Sequence, residues 1–215
     1  RRPAVAVVGT WSGLEWVPAL APVLAAGKSA LVVTATAQEV SEVAARSRRE
    51  FGDRVVEIPT EGDRAITDGW TAAQVPGVLV VGPPRVAAWH VAGLSLFVVL
   101  EEGRRAMKDR QTPTIHVREM VRNRARVEGV NAAFFGPTPS VEILSAGAAV
   151  ERAGRRAWES VEIVDRSGEA PGGGLLSDRV VAALRAVSRT GSQRAFLLTS
   201  RRMIEPVVEE ANRKL

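Results

Sequence analysis

The sequence predicts an α/β fold, a parallel β-sheet covered by helices on both faces. Three observations lead there. Short apolar runs without polar alternation recur along the first two thirds of the 215-residue chain, as strands buried on both faces require. Helical periodicity separates the runs. The composition, 46% hydrophobic and 25% charged, is that of a globular protein able to bury such a sheet.

The elements follow in order. Residues 4–9 read as the first strand, and Trp16, Leu20, Val23 and Leu24 then recur at helical spacing until Gly27. Residues 30–34 are a second strand. Thr36 followed by Glu39 is a capping box, opening a helix whose inner face carries Val40, Val43, Ala44, Ser47 and Phe51. Further strands are expected at 55–58, 77–81, 97–100 and 132–135, with a helix through Val117, Met120 and Val121. Thr138 as N-cap, with Pro139 at the first helical position, starts a helix through Ile143 and Leu144.

Near position 150 the pattern changes. Residues 166–174 are rich in glycine and proline and read as a linker or exposed loop. Ser177 then caps a helix carrying Val180, Val181, Leu184 and Val187, Gly191 stops it, and a strand is expected at 195–199. The expected division is a first lobe at 1–148, then a linker and the first strand–helix–strand unit of a second lobe at 149–215.

Composition excludes several chemistries. Cysteine is absent, so there is no disulfide, thiolate zinc site or cysteine nucleophile. Two histidines cannot build a histidine-rich metal cage, and no tyrosine is available as an acid. The apolar runs fall far short of the ~20 residues of a membrane span. No charged-then-apolar leader opens the sequence. A cytoplasmic location without a membrane partner is the expectation, and Arg1 at the start is read as the mark of a processed or excised piece.

The net charge is +5, and all but three of the 29 basic residues are arginine. Between 103 and 128 stand eight basic residues (Arg104, Arg105, Lys108, Arg110, Arg118, Arg122, Arg124, Arg126) against three acids, a local excess equal to the charge of the whole chain. A polyanionic partner is compatible with that. His116 lies inside this segment, whereas His90, beside Trp89, reads as a packed or surface residue.

Residues 9–15 sit where a phosphate-cradling loop lies in a nucleotide-binding α/β lobe, between the first strand and a helix. The two glycines, Gly9 and Gly13, are weak evidence alone, since turns after strands use glycine for its backbone freedom. Leu14 and Glu15 stand where such a loop needs lysine and a magnesium-holding hydroxyl. The strand at 97–100 ends in Glu101 and Glu102, an acidic pair placed like the carboxylates of an ATPase but without a metal-binding aspartate.

Together these segments resemble one family, the primosomal protein N′ replication-restart helicases. Residues 9–15 fall at the family's Walker loop, and 31–38 (LVVTATAQ) are similar to its next strand. Residues 51–55 (FGDRV) are similar to the end of its second helix, and Gly82-Pro83-Pro84-Arg85 resembles its Gly-Thr-Arg-Ser motif. Leu100-Glu101-Glu102-Gly103 stands for its Asp-Glu-Glu-His box. Residues 113–119 (PTIHVRE) resemble a Pro-x-x-His-Ala-Arg-Asp segment, and Thr138-Pro139-Ser140-Val141-Glu142 resembles Thr-Pro-Ser-x-Glu. Residues 172–177 (GGGLLS) and Arg201-Arg202 fit the entry to the family's second lobe and its Asn-Arg-Arg strand end. The departures fall together at Leu14, Glu15, Leu100 and Gly103, as in the degenerate, actinobacterial-like form of the family.

The resemblance implies a RecA-like lobe that binds DNA at replication forks and single-strand/duplex junctions, in the company of other restart proteins and without ATP hydrolysis. Its DNA contacts would be Arg85, Arg104, Arg105, Lys108, Arg110, His116 and Arg118. Thr10, Ser12, Gly13, Leu14, Glu15, Glu101 and Glu102 would be remnants of a nucleotide site. No residue is expected to be catalytic, no metal or cofactor is expected, and zinc is not bound by this segment. Two alternatives stand beside this reading. One is an active 3′–5′ helicase with an unconventional loop, which would need ATP and magnesium. The other is a non-binding scaffold lobe for restart partners.

Overall fold

A computed structural model describes residues 5–8, 16–108, 114–152, 162–168, 173–191 and 194–215. The chain divides into two compact units, Arg1–Arg155 and Arg156–Leu215.

The first unit alternates strand and helix: β1 (Val5–Val8), α1 (Val17–Ala25), β2 (Ser29–Val33), α2 (Ala37–Phe51), β3 (Val55–Glu57), α3 (Asp63–Ala72), β4 (Leu79–Gly82), β5 (Leu94–Leu100), α4 (Val117–Glu128), β6 (Asn131–Gly136), α5 (Val141–Ser145) and β7 (Ala149–Arg152). The strands form one sheet in the order β3-β4-β2-β5-β6-β1-β7, every described pairing parallel. This is the parallel sheet with helices on both faces expected from the sequence. β7 follows position 148 and belongs to this sheet through β1.

The two-residue period of a strand sorts its side chains to opposite faces. From β2, Leu31 and Val33 face one core and Ala30 and Val32 the other; from β5, Phe97 and Val99 part from Val98 and Leu100 in the same way. α1 and α2 cover one face with Trp16, Leu20, Leu24, Val40, Val43 and Phe51. Val117 and Val121 of α4 and Ile143 of α5 cover the other. The capping box at α2 is present: Thr36 Oγ1 accepts from the Glu39 amide at 3.3 Å, and Glu39 Oε2 accepts from the Thr36 amide at 3.0 Å.

Two elements lack a clear sequence signal. α3 contains Gly69, whose missing side chain admits Ile58: a Cβ at position 69 would lie 2.5 Å from Ile58 Cδ1. β7 is short and carries Glu151 and Arg152, so its pattern is that of a loop. One cap also moves. α5 begins at Val141 with Ser140, not Thr138, as N-cap. The Ser140 amide donates to Glu102 Oε1 at 2.8 Å, which fixes Ser140 in extended backbone and delays the helix.

In the second unit, α6 (Asp178–Thr190) starts at the Ser177 cap and ends at Gly191, whose φ is 63°. α7 (Ile204–Lys214) closes the unit, and Leu176, Val181, Val207 and Ala211 form its core. Residues 195–199 are not a strand. A strand exists only against a neighbour that completes its hydrogen bonds, and among the described residues of this unit there is none.

The second unit is tied together by one anion. Glu210, on α7, is buried and accepts from the Leu175 amide at 2.6 Å and the Leu176 amide at 3.3 Å, with Lys214 Nζ at 2.7 Å. Gly174, at φ 90°, makes room for it: a Cβ there would stand 2.2 Å from Glu210 Oε1. The Lys214 ammonium and the two amides hold the Glu210 carboxyl down to about 2, from its ordinary 4.5. Because the folded value is the depressed one, the stabilisation is complete above pH 4.5 and is lost as pH falls toward 2. The amide resonances of Leu175 and Leu176, followed by NMR on acidification, are expected to move with a midpoint near 2. A midpoint at the ordinary carboxylate value would contradict the arrangement.

Candidate functional site

Chain direction locates the place where an open parallel sheet binds ligands. From β2 the chain runs through α2 to β3 at one edge, and from β5 it runs through α4 to β6 in the opposite direction. β2 and β5 are neighbours, so the crevice above their carboxyl ends is the topological switch point. A small depression there is lined by Thr34, Glu39, Leu100, Glu101 and Arg104.

That depression is crossed by ion pairs. Arg104 Nη1 donates to Glu39 Oε1 and lies 3.3 Å from Glu101 Oε2. Glu39 thereby caps α2 with one carboxylate oxygen and holds Arg104 with the other. The hydrogen bond to Glu39 and the charges of Glu39 and Glu101 raise the Arg104 guanidinium further above its ordinary value. Glu101 has φ 53°, a left-handed conformation that costs a residue with a Cβ about 1 kcal/mol. Its amide donates to Phe135 O at 2.6 Å, which holds the turn.

A second cluster begins one residue later. Glu102 is 4% exposed, and its other oxygen faces Arg118 Nη1 at 3.3 Å. Arg118, in the first turn of α4, also donates to Glu142 of α5 at 2.7 Å and has Glu119 at 3.6 Å. Its side chain is only 12% exposed, and its Nε is buried without a hydrogen-bond partner among the described residues. One guanidinium thus joins β5, α4 and α5. His116 is the N-cap of α4: Nδ1 accepts from the Arg118 amide at 3.3 Å, and Nε2 lies 3.3 Å from Arg118 Nη1. Its backbone also bridges Lys108, closing the loop that carries the basic residues.

The residues expected to contact DNA therefore divide. Arg104 and Arg118 are each paired with carboxylates that a single sequence cannot assign to them; the Arg118 side chain is 12% exposed and the Arg104 side chain 37%. Arg85, though exposed, donates to Pro59 O at 2.5 Å and Thr60 O at 2.8 Å. Arg122 pairs with Glu119 at 3.0 Å. Arg124 pairs with Glu128 at 2.7 Å, donates to the Ala87 and Trp89 carbonyls and lies 5.0 Å from the Phe97 ring centroid. Arg105 and Lys108 are exposed and make no ion pair among the described residues. Arg126 is also exposed, but at the far end of α4. Thr10, Ser12, Gly13, Leu14, Glu15 and Arg110 lie outside the described residues. His90 is exposed and contacts Gln74 Oε1 through Nδ1 at 2.9 Å.

Among the described residues no group of three or more His, Cys, Asp or Glu is placed to hold a metal ion, and no helix is long and apolar enough to cross a membrane. The capping role of His116 and the Glu102–Ser140 bond were not visible in the sequence. Histidine is not among the preferred caps, and the second contact spans 38 residues.

No family model matches the chain, and no curated protein matches it. Among solved structures it is similar to a DEAD box protein from the hyperthermophile Methanococcus jannaschii, at 15% identity with a TM-score of 0.48. The likeness covers 71% of this chain and 46% of that one, so the chain spans less than half of that protein's length.

Burial, and then the Arg118 charge, push the His116 imidazole below its ordinary 6.5. The neutral ring is therefore the form the fold prefers. The associated stability is full above pH 6.5 and is lost as pH falls below it. The melting temperature of the wild-type chain should drop on acidification from about 7.5 to about 5 by more than that of His116→Asn, which still caps α4 but does not titrate. Parallel curves would remove His116 from the account.

Proposed function

We propose that this chain is the nucleic-acid-binding lobe of a helicase-type protein of the replication-restart kind, working without ATP hydrolysis. One observation carries the reading: both carboxylates at the carboxyl end of β5 are engaged by the protein itself, Glu101 by Arg104 and Glu102 by Arg118 and the Ser140 amide. A carboxylate that coordinates magnesium or takes a proton from water needs a free oxygen at the site. Both oxygens of Glu102 are taken, and one oxygen of Glu101 lies against Arg104. Leu14 and Glu15, in place of a lysine and a hydroxyl, support the same conclusion.

Phosphate contact is assigned to the loop that leaves β5. Arg105 and Lys108 project from the carboxyl edge of the sheet, next to the switch point, as exposed cations. Arg104 and Arg118 act behind them by fixing the loop and the first turn of α4. Such contacts follow the backbone and carry little sequence preference. Replication forks and single-strand/duplex junctions in the cytoplasm, with other restart proteins, are the partners that the family resemblance supports.

Binding of a fluorescent forked DNA, measured across a range of salt, tests this. Arg105→Ala with Lys108→Ala should weaken binding and flatten the logarithmic salt slope by about 2, since each duplex phosphate contact contributes about 0.9. The fold should be unaffected, because both side chains are exposed. Magnesium and ATP should change neither the affinity nor the melting temperature. An unchanged slope in the double variant would favour a scaffold that does not bind DNA. DNA-dependent phosphate release would favour an active ATPase.

A further inference from the structure

The loop that carries Arg105 and Lys108 is pinned at several points. It leaves β5 through Glu101, whose amide donates to Phe135 O at 2.6 Å. Met107 is fully buried in the core that α4 covers, and Lys108 bridges His116. Between these points stands Arg104, the cap residue of the short turn Arg105–Met107. Its amide donates to Glu101 O at 3.1 Å, and its carbonyl accepts from the Met107 amide at 2.9 Å.

Among the described residues, Glu39 is the hydrogen-bond partner that ties the Arg104 side chain to another element. Glu101 also meets Arg104, but from the same turn, three residues back. Glu39 lies 65 residues earlier, in the first turn of α2. Its two oxygens work separately. Oε2 accepts from the Ala35 and Thr36 amides at 3.1 and 3.0 Å, whereas Oε1 accepts from Arg104 Nη1. The cap does not need the second contact, since glutamine serves as well as glutamate at this position of a capping box. Stability does not need it either: the Arg104 side chain is 37% exposed, and an ion pair open to water contributes little. What remains is geometry. We infer that Glu39 is a positioning residue for the nucleic-acid-binding loop, fixing the turn through Arg104 so that Arg105 and Lys108 are held in place before DNA arrives. A loop ordered beforehand spares binding the cost of ordering it. The inference rests on the assignment of phosphate contact to Arg105 and Lys108.

The test uses the full chain and Glu39→Gln, which keeps the cap and removes the charge that holds Arg104. If charge alone mattered, losing an acid beside a DNA-binding loop would tighten binding. Positioning predicts the opposite: affinity for a fluorescent forked DNA falls about fivefold. The salt slope changes little, because Arg105 and Lys108 still release the same counterions. The melting temperature also changes little. Without DNA, the Met107 and Lys108 amides should exchange with solvent faster in Glu39→Gln than in wild type. In an Arg104→Met background, Glu39→Gln should cause no further loss of affinity. Unchanged or tighter binding by Glu39→Gln, in a chain that Arg105→Ala with Lys108→Ala weakens, overturns the inference and leaves the loop assignment standing. Unchanged amide exchange overturns it in the same way, and so does a loss of affinity that comes with a large drop in melting temperature. If Arg105→Ala with Lys108→Ala binds as wild type does, the loop assignment itself fails and Glu39 loses its role with it.

Discussion

The first unit depends on a buried guanidinium. Arg118 lies between Glu102 at the end of β5 and Glu142 in the first turn of α5, while its own backbone begins α4. Burying a charge is unfavourable unless its partners are buried with it. Glu102 meets that condition from one side and, with its second oxygen, holds the Ser140 amide. The start of α5, the start of α4 and the turn after β5 are therefore positioned by the same few atoms. Removing either partner of such a pair leaves the other uncompensated, at a cost of about 3–5 kcal/mol.

This constraint decides what the carboxyl edge of the sheet can do. An acidic pair beside a depression at a switch point has the placement of a metal-assisted hydrolytic site. Both oxygens of Glu102 are directed toward Arg118 and Ser140, and one oxygen of Glu101 toward Arg104. Arginine is suited to this occupation because its planar fork reaches two acceptors at once and stays charged. The same pairing reduces the basic segment from a continuous cationic surface to a few exposed side chains. Total charge overstated the available charge, because Arg104, Arg118, Arg122 and Arg124 are each held by carboxylates of the same chain.

The sheet was legible from local pattern. Runs such as Leu-Val-Val at 31–33 and Phe-Val-Val at 97–99 are buried throughout, and the capping box at Thr36 and Glu39 forms as read. Elements whose form depends on distant contacts were not. α3 tolerates Gly69 only because Ile58 packs into the space. α5 starts late because Glu102, far back in the chain, holds Ser140. The segment at 195–199 has the composition of a buried strand, but composition cannot supply the neighbour that a strand requires. At the candidate site, residue types were legible and their partners were not. Glu39 was visible as a cap, and its second oxygen, on Arg104, was not.

A double-mutant cycle between Glu102 and Arg118, read by urea unfolding, tests the central claim most directly. Glu102→Gln, Arg118→Met and the double variant isolate the pairwise interaction from the cost of each change alone. A shared, organising contact predicts a coupling energy of about 1 kcal/mol or more, with the double variant less destabilised than the sum of the singles. Additivity within about 0.3 kcal/mol would show that the two side chains act independently, and would contradict the account.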